Sequence, residues 1–351
     1  MATAVFDGVK ITGLSCAVPE HTDRIEDFVE RFGKEAVDKF VATTGVRERH
    51  YVIGTQTCSD LCYEAAERLI AHKGYEKDSF DGIIFVTQTA DYARPATAHI
   101  LQKRLGLNLE CMAFDINLGC SGFVYGINIA ASMIRAGAVH RVLLCCGDAH
   151  TCLTPLDDKA SSMLFGDAGS AIVLEPGDDT IHTLLRADGE GYRAILTSGL
   201  NARTKVDFEH FEFDRVKQTM DGSAVFEFSL LRVPRSFKDY FMTFGGAIDD
   251  YDYCVFHQAN LFMLEHIRKK IKLPLEKMPV SIDRYGNTSS ASIPLTIADL
   301  CERESVREQI RFIASGFGVG LSWGIVDFSL DRNDILPVLK TDAYFEDAYF
   351  Q

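Results

Sequence analysis

Hydrophobic and polar positions along this chain switch between two periods. Short apolar runs such as "FDGIIFVTQT", "HRVLLCCGD" and "YDYCVFHQAN" read as buried strands, whereas "SDLCYEAAERLIAH" and "LFMLEHIRKKI" place their apolar residues at helical spacing. Between Asp115 and Ile134, "DINLGCSGFVYGINIAASMI" carries Phe123, Ile127, Ile129 and Ala130 on a helical stripe, and the preceding "CMAFDIN" reads as a short buried strand. Cys120 is therefore predicted at a strand-to-helix turn. The pattern also repeats. One half holds "FDGIIFVTQT", the cysteine turn and "HRVLLCCGD"; the other holds "YDYCVFHQAN", "DRYGNTSSASIPLTIADLCE" and "IRFIASGFGVGLSWG". The half boundary is placed near Pro176, giving residues 1–176 with the cysteine and 177–351 with the histidine and asparagine discussed below. Strands alternating with amphipathic helices predict an α/β protein with largely parallel sheets covered on both faces. In such folds the loops at strand ends gather, so "TQTADYARP", "NLGCSG", "HQAN", "YGNTSS" and "SGFGVG" are expected to converge on one pocket.

Composition narrows the function classes. The 351 residues are 47% hydrophobic and 25% charged, ordinary for a globular protein with a large core. A net charge of -14 argues against general nucleic-acid binding, which needs a basic surface. The start "MATAVFDGVKITG" lacks a basic region followed by an apolar run, and no stretch approaches the length of a membrane span, so a cytoplasmic protein is expected. The ten cysteines show no paired C-x-x-C zinc spacing, and Cys145 and Cys146 read as core thiols in a reducing compartment. His21, His50, His72, His99, His140, His150, His182 and His210 are isolated in sequence, so surface or core roles are expected and no metal site is predicted. Gly316, Gly318, Gly320 and Gly324 fail the dinucleotide-binding spacing and lead into a strand, so no nicotinamide cofactor is expected.

Cys120 is the candidate nucleophile. Unpaired N–H groups and the positive end of a helix dipole favour thiolate over thiol and are expected to lower its pKa. An arbitrary cysteine is more often a small core hydrophobe, His257 alone more often structural, and Asn287 alone more often a turn former. Together they change the reading. "NLGCSGFVYG", "HQAN" and "YGNTSSASIP", in that order, resemble the Cys-His-Asn signature of beta-ketoacyl-acyl carrier protein synthase III enzymes, condensing enzymes of the thiolase superfamily. "TGVRERHYV", "FGDAGSAIVLE" and "GFGVGLSWG" extend the similarity over nearly the whole chain.

The resemblance implies a thiolase-like fold of two pseudo-duplicated halves in a layered αβαβα arrangement, and a homodimer. It implies decarboxylative condensation of an acyl thioester, held on Cys120, with a malonyl thioester, in fatty acid or specialised acyl-precursor synthesis. His257 and Asn287 would hold the malonyl carbonyl, and backbone N–H groups of Cys120 and Val319 would form an oxyanion hole. The substrates would arrive on coenzyme A or acyl carrier protein, with no other cofactor. Phe165, Phe226, Asn260 and Phe317 are expected at the substrate.

Several positions depart from the family pattern. Lys39 and Thr43 stand where a tryptophan and an arginine commonly sandwich the adenine of coenzyme A. Phe262 replaces a common arginine, while Lys269 and Lys270 remain for docking an acidic carrier. Arg94 stands where a phenylalanine often closes the partner's acyl pocket, implying either a polar acyl group or an arginine turned to solvent. Two alternatives stay open: transfer of the acyl group to an oxygen or nitrogen nucleophile, and a non-catalytic subunit of a heterodimer. The tail "TDAYFEDAYFQ" repeats Asp-Ala-Tyr-Phe and is assigned no function.

Overall fold

Strand alternation assigns the apolar side chains of the main sheet to one of three cores, and the layers follow from that. The computed structural model describes residues 2–198 and 217–346. In chain order the first part comprises β1 (Ala2–Pro19), β2 (Thr22–Arg24), α1 (Val29–Phe32), α2 (Lys34–Thr44), β3 (Glu48–His50), α3 (Cys58–Lys73), β4 (Gly82–Val86) and α4 (Thr97–Leu105). Next come β5 (Met112–Ile116), α5 (Gly122–Arg135), β6 (Val142–Asp148), β7 (Ala168–Ala187), β8 (Ile195–Ser198), β9 (Lys217–Met220) and α6 (Gly222–Phe244). The remainder is β10 (Tyr253–Phe256), α7 (Leu261–Ile271), α8 (Ile282–Tyr285), α9 (Ser292–Arg303), β11 (Gln309–Gly318), β12 (Ser322–Asp331) and β13 (Leu339–Thr341).

Ile83, Phe85, Leu143 and Cys145 point to an outer core shared with α3 and α4. Their neighbours Ile84, Val86, Leu144 and Cys146 point inward, where they meet α5, α9 and the inner face of β11 and β12 through Phe123, Ile297, Phe312 and Phe328. On the far side, Cys254, Phe256, Ile313 and Ile325 pack beneath α6 and α7. Adjacent strand residues face opposite sides, so Cys145 and Cys146 are both buried but in different cores. The result is a mixed α/β protein with five alternating layers, helix outermost on each side and α5 with α9 in the middle. Phe123, 1% exposed in that central layer, would cost about 3–5 kcal/mol on truncation to Ala.

The sheet is mixed rather than largely parallel. β4 pairs in parallel with β5 and β6, and β10 with β11, as crossover connections require. β6 and β11, however, are each followed by an antiparallel partner: β11 turns directly into β12, and β7 follows β6 after the connection 149–167. This is where the internal echo lies. β7 bonds β6 through its first residues and β12 through Thr183–Ala187, with β1 alongside it almost throughout, so the two half-sheets are spliced by one long strand pair. Pro176 falls between those two segments, next to an irregularity in the β1 register. β5, expected to be buried, lies at the sheet edge and pairs only with β4, leaving Met112 exposed.

Among the described residues no helix is long and apolar enough to cross a membrane. The first Asp-Ala-Tyr-Phe of the tail packs by its aromatic ring, with Phe345 under the Arg104 guanidinium at 4.6 Å and its N–H donating to Asp60. The second copy, like His210, lies outside the described residues.

Candidate active site

Three loops from distant parts of the chain meet at one cavity of about 460 Å³, lined among others by Cys120, His257 and Asn287. Cys120 follows β5 and precedes α5 by one turn residue. Its surroundings demand small neighbours. A Cβ on Gly318 would lie 2.6 Å from the Cβ of Cys120, and one on Gly119 would clash with the Gln88 side chain. The β11–β12 turn is tied to the start of α5 by the Ser121 and Ser322 hydroxyls, 2.6 Å apart, with Ser322 also donating to the Val319 carbonyl. That clip holds the Val319 N–H toward the cysteine sulfur.

His257 leaves the end of β10 with its N–H donated to Ser315, and its ring stands edge-on to Phe317 at 5.5 Å. Burial lowers its pKa to about 3, against a smaller opposing pull from the Ser289 carbonyl, so the imidazole is neutral throughout the working range. Its Nδ1 is 2.8 Å from the Ser292 hydroxyl. That hydroxyl has one proton and a second acceptor, the Ser289 carbonyl, also at 2.8 Å. When it points at Nδ1, the imidazole proton sits on Nε2.

Asn287 is pinned to the segment carrying Phe165: its N–H donates to Leu164 and its carbonyl accepts from Gly166. Its side-chain oxygen accepts the Ser289 N–H at 3.0 Å, which leaves the amide NH2 as the group without a described partner. Ser289 thus reaches all three residues. It sits at φ 50, a left-handed conformation costing about 1–3 kcal/mol for a residue with a Cβ, and its hydroxyl lies 3.9 Å from the Cys120 sulfur. Behind it, the buried Asp148 accepts four hydrogen bonds, from Gln88 N–H, Thr87 hydroxyl, and the N–H and hydroxyl of Ser290. This carboxylate joins the end of β6 to the asparagine loop. Ser289, Ser292 and Asp148 were missed in the sequence, although "NTSSAS" is unusually dense in hydroxyls immediately after the asparagine.

The thiol departs from expectation. Burial pushes the Cys120 pKa up to about 12; the Ser289 hydroxyl and the N–H groups of Cys120 and Val319 pull it down, and Asp148 adds to the rise. With the cavity empty of charge, desolvation outweighs the helix start.

Of the other expected residues, Val319, Phe165, Phe226, Asn260 and Phe317 line the cavity. Asn260 caps α7 by accepting the Met263 N–H. Arg94 is exposed and outside the cavity, which avoids the cost of burying an unpaired guanidinium. Lys269 and Lys270 are exposed at the far end of α7, Lys269 lying 3.9 Å from Glu265. Thr43 and Phe262 are at the cavity, and Lys39 is exposed away from it. Phe262 stacks on Phe226 at 5.6 Å. His150, read as an isolated surface or core residue, also lines the cavity. A second recess, between Arg186, Arg232 and Trp323, holds none of the trio; its Arg186 and Arg232 pair with Asp239 and Asp188.

Comparison with known proteins decides the family. The family model described as 3-Oxoacyl-[acyl-carrier-protein (ACP)] synthase III matches residues 114–189, and the model of its C-terminal part matches residues 243–329. A beta-ketoacyl-[acyl-carrier-protein] synthase III of Roseiflexus castenholzii is 35% identical over 317 residues, covering 89% of this chain and 95% of that protein. The chain belongs to the 3-oxoacyl-[acyl-carrier-protein] synthase III family. A protein of the same name from Xanthomonas campestris is 33% identical over 90% of this chain and 96% of its own length. Among solved structures, the 3-oxoacyl-(acyl-carrier protein) synthase of Burkholderia xenovorans superposes with a TM-score of 0.89 at 38% identity, over 97% of this chain and 99% of that one. The synthase III of Pseudomonas aeruginosa gives 0.82 at 28%, over 95% and 100%. The thiolase-like fold and an acyl-transferring condensing activity come with that membership.

Proposed function

We propose that Cys120 takes an acyl group from a thioester and that the acyl-enzyme condenses with a malonyl thioester, releasing carbon dioxide and a 3-oxoacyl thioester. The observation that carries this reading is the meeting of Cys120, His257 and Asn287 in one cavity.

In the first half-reaction the sulfur attacks the donor's carbonyl and the departing thiolate leaves with the proton of the cysteine. The tetrahedral oxyanion is met by the N–H groups of Cys120 and Val319. In the second, loss of carbon dioxide from malonate leaves negative charge on the thioester oxygen. A neutral His257 protonated at Nε2 and the Asn287 NH2 stabilise it as preorganised donors in a water-poor site. The carbanion attacks the acyl carbonyl, and collapse expels the cysteine thiolate, which regains a proton. The sequence of steps calls for no metal and no redox cofactor.

The delivery arm enters over the rim of Phe226, Phe262 and Met220. Lys269 and Lys270 offer positive charge to an acidic carrier protein beyond that rim, and the open edge of β5, with exposed Met112 and Leu109, suits pairing with a second copy of the chain. All ten cysteines are unpaired thiols, consistent with a reducing cytoplasmic setting.

Intact-mass measurement after incubation with a panel of acyl thioesters tests the reading. An adduct on Cys120 that disappears on malonyl addition with carbon dioxide released is expected. Release only by an oxygen or nitrogen nucleophile would make the protein a simple acyltransferase, and no adduct at all would remove the catalytic assignment.

A further inference from the structure

Among the described residues, seven buried side-chain polar atoms have no hydrogen-bond partner. Two of the seven, His150 Nδ1 and Gln218 Oε1, belong to residues that line the reaction cavity. Such orphans are rare in folded proteins, because an unpaired buried polar atom costs the desolvation of that group. His150 is the more telling. Its side chain is 8% exposed, it follows β6 and the buried Asp148, and its ring lies against Phe165 with centroids 5.0 Å apart. A phenyl or leucyl side chain would fill that wall without leaving a nitrogen unpaired. Much of the wall is apolar, with Leu164, Phe165, Val225, Phe226 and Phe317, but polar Ser223, Ser229 and Gln218 also line the cavity.

We infer that His150 is a specificity-determining residue that hydrogen-bonds a neutral oxygen, a hydroxyl or keto group, on the acyl chain carried by Cys120. The inference rests on the acyl-enzyme reading above. An imidazole offers one N–H donor and one lone pair, a match for a hydroxyl in either tautomer and for a keto oxygen when Nδ1 carries the proton. A plain alkyl chain leaves Nδ1 as unpaired as it is in the free protein, whereas an oxygen-bearing chain gains the hydrogen bond. Arg94, turned to solvent as one of its two expected outcomes had it, supplies no such contact. Gln218 Oε1, an acceptor, adds a second polar contact for whatever fills the same space.

Competition between equimolar butyryl-, 3-hydroxybutyryl-, acetoacetyl- and succinyl-coenzyme A, with adducts on Cys120 resolved by intact mass, tests the inference. An oxygen-bearing adduct, hydroxybutyryl or acetoacetyl, is expected to exceed butyryl by about five- to tenfold in the natural protein. His150→Leu should bring that ratio to about one or below, and His150→Gln, which keeps a donor and an acceptor, should retain part of it. A ratio near one in the natural protein overturns the inference without needing any variant, as does a ratio that His150→Leu leaves unchanged. Succinyl outpacing both neutral oxygen-bearing groups would place a carboxylate there and overturn it too. Acylation without preference leaves the condensing-enzyme reading standing, whereas absence of any adduct removes both.

Discussion

The floor of the cavity and its mouth are built in opposite ways. On the floor, Asp148 collects four hydrogen bonds, Ser289 reaches Cys120, Asn287 and the Ser292 hydroxyl that holds His257, and these side chains are all but buried. The mouth is formed by the apolar Ile195, Met220, Phe226 and Phe262, of which Phe226 and Phe262 stack, and Phe262 is 53% exposed. Reacting atoms must stay within a few tenths of an ångström of one geometry, which interlocked hydrogen bonds enforce. A rim that guides a flexible arm needs only area. Changes on the floor should therefore act on chemistry or on folding, and changes at the mouth on binding alone.

The largest effects separate the two half-reactions. Cys120→Ala should abolish acyl adducts in intact-mass spectra. His257→Ala should keep acylation while slowing condensation about 100- to 1000-fold, measured as carbon dioxide released from malonyl thioester. Equal loss of both half-reactions in His257→Ala would mean that the histidine serves the thiol, and the division of labour on the floor would be wrong. Asp148→Ala strands Gln88 N–H and Ser290 N–H in a dry interior and should lower folding stability by about 2–4 kcal/mol, read from the midpoint of chemical denaturation.

Much of the floor was legible because its chemistry sits in contiguous short motifs. "NLGCSG", "HQAN" and "YGNTSS" each end or begin a recognisable element, so the apolar pattern placed them at loop ends and the resemblance joined them. Strand alternation likewise put Cys145 and Cys146 in the core, but periodicity alone could not show that β6 and β11 are followed by antiparallel partners, since a buried run looks alike in either direction. β5 was misjudged as buried for the same reason: an edge strand can read as apolar in sequence as a central one. His150 escaped notice because nothing adjacent in sequence marks it; its significance is an unpaired nitrogen beside an apolar wall, which exists only after Phe165 and β6 come together. The lowered thiol pKa failed because a helix start is visible in sequence and the desolvation around it is not.

Titration sharpens the same contrast. With the thiol pushed up to about 12, alkylation of the empty enzyme by iodoacetamide should climb about tenfold per unit between about pH 7 and 9 without levelling. A plateau near pH 8 would restore the helix-start expectation. Ser289→Ala keeps the N–H and carbonyl that contact Asn287 and Ser292 but removes the hydroxyl near sulfur, and should slow alkylation about two- to fivefold. His257 acts on stability in the other direction. Its folded pKa of about 3 lies below its ordinary 6.5, so the unfolded chain takes up the proton first; stability is full above about pH 6.5 and is lost as pH falls toward 3. His257→Gln should flatten that part of the acid profile.

The smallest effect belongs to the rim. Phe262 stacks on Phe226 with ring planes 22° apart and stands half-exposed where an incoming arm must pass. An aromatic contact of this kind is worth about 0.5–1.5 kcal/mol, so Phe262→Ala should raise the Michaelis constant for the acyl thioester about two- to tenfold. The turnover number should not move, because the side chain lies on the approach and not among the reacting atoms. Steady-state kinetics with a saturating second substrate distinguishes the outcomes. A fall in turnover with an unchanged Michaelis constant would mean that the mouth transmits its geometry to Cys120, and the rim would then have to be treated as part of the floor.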